Sequence, residues 1–137
     1  MNALDSAIYS KLQSTSGLTS LLAGTTSIYS VQAPENATLP YVVFNVQGGG
    51  DDNETAHRTK NLVVFIRGYA EGMGAKKTAG SIDAAIDTAL HLSSFTVSGW
   101  SNFWLAREED LETVENPPSG SPIFMVGGLY RVRIEKT

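Results

Sequence analysis

The 137-residue chain has no cysteine, which removes disulfide frameworks, iron–sulfur clusters, thiol catalysis and every zinc site that needs thiolates. It has only two histidines, His57 and His91. Charge is scarce as well: 18% of residues are charged, and fourteen Asp and Glu outnumber ten Lys and Arg, for a net charge of −4. This balance argues against clamping nucleic acid through its phosphates, since such binding depends on clustered Lys and Arg releasing counterions. No window approaches the roughly 18 apolar residues of a membrane span. Residues Met1 to Ser10 carry neither the basic region nor the apolar run of a secretory signal, so the glycosylation-like Asn36-Ala37-Thr38 and Asn53-Glu54-Thr55 have little meaning.

With 42% hydrophobic residues the chain is expected to fold. A length below about 150 residues favours one domain, spanning 1–137. Composition therefore points to a soluble intracellular domain without naming its work.

Leu4, Ile8 and Leu12, with Ala3 and Ala7 beside them, have the spacing of a helix over about Ala3 to Ser14, with Gly17 at its stop. One or two helical turns follow over Leu18 to Gly24. Ile28 to Val31 is β-prone, and Leu39 to Gln47 is the first strong strand, with Pro40 at its entry. Gly48 to His57 reads as a long polar loop. Leu62 to Ile66 is a continuous apolar run, which predicts a central strand covered on both faces. Ala79, Ile82, Ala85, Ile86, Ala89 and Leu90 then recur at three and four, the clearest amphipathic helix in the chain. Phe95 to Trp100 and Phe103 to Ala106 read as short strands, and Arg107 to Pro122 as an acidic, then proline-rich connection. Leu129 to Lys136 alternates at period two, as a strand with one wet face does. Neighbouring strands with helices at the start and middle predict an α+β domain: a mostly antiparallel or mixed sheet with an N-terminal helix and a central amphipathic helix packed on it.

Little of this resembles catalytic machinery. Gly68 to Thr78 (GYAEGMGAKKT) has the strand–glycine–Lys-Thr–helix order of a phosphate loop, but Lys76 stands where the glycine before the Lys-Thr pair belongs. An ordinary strand-to-helix turn explains it. Neither histidine has triad or metal-pair spacing, and His91 near a helix end is expected to act as a dipole partner. The acids are more informative, because Asp51, Asp52 and Glu54 with Glu108, Glu109, Asp110, Glu112 and Glu115 hold eight of the fourteen. They lack calcium-loop spacing, and nothing in the sequence fixes a glycosidase-type separation. Solvated loops are the bland explanation and a deliberately negative surface the sharper one. Trp100, Phe103 and Trp104 are expected to be largely core, with any exposed member marking a partner interface.

The order of these phrases resembles the tail terminator, or tail completion, family of long-tailed bacteriophages: Ala7-Ile8-Tyr9-Ser10-Lys11-Leu12, Leu21-Leu22-Ala23-Gly24, Ile28-Tyr29, Leu39-Pro40-Tyr41-Val42-Val43-Phe44, the strand Asn61 to Tyr69, the helix Ala75 to Leu92 and Gly128 to Ile134. Arg107 to Pro122 departs from that pattern. The resemblance implies an α+β fold, a homohexameric ring on the tail, and the tail tube protein and head–tail connector proteins as partners. DNA would pass through without specific binding. It implies no enzyme activity, no cofactor or metal and no membrane, with assembly in the bacterial host cytoplasm and a place at the tail–neck junction of the virion. On this reading Asp51, Asp52 and Glu54, or Glu108 to Glu115, line a lumen or contact partners, and Tyr130, Arg131 and Arg133 lie on a strand at the subunit edge. A head-side neck connector is the nearest alternative. A small cytosolic ligand-binding or enzymatic domain is the alternative from another class.

Overall fold

The computed structural model describes residues 1–118 and 120–137; of the acidic, proline-rich segment, Ser119 lies outside the described residues. The chain opens with helix α1 (Asn2–Gln13) and the single turn α2 (Ser16–Thr19). Strands β1 (Ile28–Ser30), β2 (Tyr41–Asp51) and β3 (Thr59–Glu71) follow, then helix α3 (Ala75–Leu90), β4 (Trp100–Glu115) and β5 (Ile123–Lys136). Gly17 does not stop α1 as its position predicted. It lies within α2, and the hydroxyls of Ser14 and Thr15 donate to the Lys11 carbonyl, satisfying the helix end instead.

The strands form one sheet in the order β1-β2-β3-β5-β4. Only β1 runs parallel to its neighbour, so the sheet is mixed and mostly antiparallel, as the sequence predicted. All three helices pack on one face. Leu4, Ile8 and Leu12 of α1 and Ile82, Ile86 and Leu90 of α3 meet Val42, Phe44, Val64, Ile66, Tyr130, Val132 and Ile134 of the sheet. Burial of that apolar surface is the main force holding the layers together.

Several strand expectations change. β3 is central, between β2 and β5, but its burial alternates, because Val63, Phe65 and Arg67 look out from a face that no helix covers. β2 runs through the three glycines read as loop: its ladder is made by the backbone, and it continues past a register shift at Val46/Gly48 to Asp51 opposite Lys60. Residues 95–99 form no strand. β4 instead is one 16-residue ribbon that absorbs Arg107 to Glu115, where the sequence predicts a connection. Register shifts at Asn102/Trp104 and Arg107/Glu109 bend it against β5.

The predicted edge strand is corrected as well. β5 bonds to β3 on one side and β4 on the other, so Tyr130, Arg131 and Arg133 lie inside the sheet. The alternation at its end reflects two faces, a helix-covered one and an open one, and does not mark a free edge. Tyr130 is fully buried under α3. Among the described residues the free edges are the three-residue β1, the part of β2 beyond it, and β4 from Glu108 onward, since Leu92 and His91 cap β4 at Leu105 and Arg107.

Candidate functional site

The acidic groups singled out by sequence fall at separate places. Asp51 and Asp52 stand at the β2–β3 end of the sheet, where cations meet them. Lys60 Nζ lies 2.7 Å and Arg58 3.2 Å from Asp51, and Arg133 lies 3.8 Å from Asp52. The Lys60 hydrogen bond, with Arg58 adding its field, holds the Asp51 carboxyl below the usual carboxylate range. Glu54 pairs through its backbone with His57, whose Nδ1 contacts the Glu135 carboxylate.

Glu108, Glu109, Asp110, Glu112 and Glu115 all lie on β4, running from the middle of the sheet to its far end. Their neighbours differ because a strand sends alternate side chains to opposite faces. Asp110 and Glu112 turn to the helix side, opposite Gly128 and Val126, where Glu112 comes within 3.8 Å of Lys76 at the start of α3. Glu109 and Glu115 leave on the open side. Glu108, at the bulge, reaches back to Arg131, with contacts of 3.0 and 3.1 Å.

What anchors this acidic strand is Arg107, a residue the sequence reading passed over. Its guanidinium spans the gap between β4 and α3. Two bonds of 2.8 and 2.9 Å run to Asp83, one of 2.7 Å to Asp110, one of 3.3 Å to the Tyr130 hydroxyl and one of 3.0 Å to the Gly127 carbonyl. All five guanidinium donors therefore have acceptors. Tyr130 passes the chain on by donating to Asp87 at 3.2 Å, while the Arg107 backbone N–H donates to His91 Nδ1 at 3.1 Å. His91 sits at the C-cap of α3, at the helix end where the sequence placed it, and accepts this bond from β4. Burial alone would disfavour the charged guanidinium. The Asp83 hydrogen bond and the Tyr130 contact outweigh it, and Arg107 stays more firmly protonated than usual. Burial raises the Tyr130 hydroxyl above the ordinary tyrosine value, and Arg107 offsets only part of that.

Gly128 makes room for this arrangement. A Cβ there would stand 2.7 Å from both Cζ and Nε of Arg107 and 2.8 Å from the Glu109 carbonyl. Outside the guanidinium lies an open cleft of about 340 Å³, lined by Asp83, Asp87, Asp110, Glu112 and neighbouring backbone. Among the described residues no group of three or more metal-ligating side chains is placed to hold an ion. The phosphate-loop likeness also dissolves: Lys76 leans toward Glu112, and Gly74, with φ +76, simply starts α3.

The aromatic cluster divides. Trp100 packs against the core, with Lys60 and Lys136 over its ring. Phe103 and Trp104 are 49% and 45% exposed, against the expectation of burial, since the first register shift on β4 carries them to the uncovered side. Arg133 lies 5.2 Å from the Phe103 ring centre. The open sheet face continues from there through Arg131, Phe65, Arg67, Tyr69 and Tyr41. Two of its aliphatic side chains, Val43 and Met125, are buried by neighbouring strands alone.

Comparison with known proteins now gives this geometry a setting. No curated protein matches the sequence significantly. Among solved structures, a chain of the "Virion of native gene transfer agent (GTA) particle" shares the fold, with a TM-score of 0.84 and 19% identical residues over 98% of this chain and 96% of that one. Residues 6–116 match the family described as Tail completion protein gp17. The match covers both acidic segments, Arg107 with Asp83 and Asp110, and strands β1 to β4, and the chain belongs to the tail completion protein gp17 family.

Proposed function

We propose that this chain is a structural protein of the virion, at the tail–neck junction, where six copies form a ring on the tail tube. The ring stops tail elongation and offers the head connector a surface. Its mechanism is geometric: a ring seated on the tube end occupies the surface to which the next tube ring would add. The reading calls for no reaction and no cofactor.

The family match over residues 6–116 carries this proposal. Two physical features support it. The first is β4, whose edge from Glu108 to Glu115 has no backbone partner among the described residues and carries five carboxylates, which guard it against unspecific pairing and leave it to a complementary surface. A closed ring can cover such an edge. The second is where the negative charge sits. Asp83 and Asp87 of α3 with Asp110 and Glu112 of β4 line one cleft, and Arg107 and Lys76 are the cations paired there among the described residues, so the helix-facing side of β4 is acidic. Lining a bore with that side would repel DNA and let it slide without specific binding. The loop carrying Asp51, Asp52 and Glu54 is a poorer lining, because Arg58, Lys60 and Arg133 offset it. It suits a contact with the tube or neck proteins better.

Gold labelling of an affinity-tagged copy in whole particles tests the placement. The proposal expects label at the head-proximal end of tails, including tails that have not yet joined a head. Label on tailless heads instead would make the chain a head-side connector and overturn it.

A further inference from the structure

Four of the five arginines are matched to carboxylates: Arg58 to Asp51, Arg107 to Asp83 and Asp110, Arg131 to Glu108, and Arg133 to Asp52. Arg67 is the exception among the described residues, with no carboxylate within 4.0 Å. It sits in the middle of the open sheet face, on β3 between Val43 of β2 and Gly127 of β5. The group is held in place. Its guanidinium carbon lies 4.4 Å from the Phe65 ring centre, Nε donates to the Tyr69 hydroxyl at 3.1 Å, and a terminal nitrogen donates to Asn45 Oδ1. Those bonds use two of five donors, and the rest point to no acceptor among the described residues. Gly127 keeps the surface low beside it, since a Cβ there would come 2.6 Å from the Arg67 Cβ. An oriented, half-buried guanidinium on an aromatic face is preorganised for a forked bond to a carboxylate.

The complementary group is on the same chain. Of the five carboxylates on β4, Glu109 and Glu115 alone have no cation within 4.0 Å among the described residues, and both are exposed. Glu109 leaves the open side of the free edge strand, at its second bulge. We propose that Arg67 receives Glu109 from β4 of a second copy, so that the free edge strand of one subunit docks on the open sheet face of the next. This specifies the subunit contact of the ring and rests on that reading. The two surfaces differ, so the contact is head-to-tail: each copy gives one edge and offers one face, and repetition closes a ring when the rotation between copies divides a full turn. The apolar surroundings of Arg67, with Val43, Phe65 and Tyr41, would supply the dry centre of the contact and weaken screening of the ion pair.

Two experiments on the full chain decide it. Arg67→Lys puts a primary amine at the site while keeping the charge. A mixture of isotopically heavy and light R67K protein, treated with a zero-length carbodiimide, should give mixed-isotope peptides joining position 67 to the Glu109 segment. Links confined to one isotope, links to another segment, or no link at position 67 overturn the proposal. In sedimentation velocity, Arg67→Glu and Glu109→Arg should each abolish the assembled species, and their equimolar mixture should restore it, because every contact then has opposite charges again. Rings that persist in R67E would refute this contact while leaving the ring reading intact. A wild-type chain found monomeric both alone and on isolated tails would remove the ring reading itself.

Discussion

Arg107 on β4 and Asp83 on α3 form a two-bond ion pair, 2.8 and 2.9 Å long, with 13% and 14% of their side-chain surfaces exposed to water. The pair ties the acidic edge strand to the helix layer, and it is the main polar link between them. Asp83→Ala would leave a charged guanidinium short of its best partner in a poorly solvated place. Losing one partner of a buried pair costs about 3 kcal/mol or more. Urea unfolding of D83A should show a loss near that size, and a loss below about 1 kcal/mol would mean that the pair does not anchor β4.

Gly128→Ala probes the same anchor by volume. The added methyl meets Arg107 and the Glu109 carbonyl at distances atoms do not adopt, so either the guanidinium leaves its acceptors or β4 shifts. Overpacking of this kind costs about 1–3 kcal/mol. Thermal unfolding measures the loss, and the amide resonances of β4 should move more than those of β1 and β2.

Asp51 supplies a pH prediction. Its carboxyl is held low by the Lys60 hydrogen bond. A lowered native pKa contributes stability above the unfolded carboxylate value, and that contribution is lost as pH falls through the lowered native value. Carbon-detected NMR titration should find Asp51 ionising below the usual carboxylate range, and Lys60→Met should return it toward that range.

Neutralising the helix-side acids of β4 tests the bore. Particles carrying Asp110→Asn with Glu112→Gln should assemble and release DNA more slowly than wild type in a dye-based ejection assay. An unchanged rate would remove this segment from the lining.

The layers of this fold were legible in the sequence where burial is one-sided. Ala79, Ile82, Ile86 and Leu90 fixed α3, and the alternation of Tyr130, Val132 and Ile134 fixed the inner face of β5. β4 was not legible past Ala106, because an edge ribbon wet on both sides has no apolar alternation to read. The position of β5 was misjudged for a related reason, since a wet face and a free edge leave the same pattern in one strand. The acids were visible, but their different states were not: Asp51 is paired locally, Asp110 is tied to Arg107, and Glu109 is unpaired. Only strand register brings Arg107 opposite Tyr130 and beneath Asp83, so no spacing announced it. Asp83 and Asp87, four apart on one side of a helix, were the only hint that something cationic lay over α3.

The central claim is that the chain ends tail growth. Tail length and head attachment, measured by electron microscopy in lysates of a phage deleted for this gene, test it most directly. Overlong or headless tails, restored to normal by the gene supplied in trans, are the predicted result. Tails of normal length joined to full heads would contradict it.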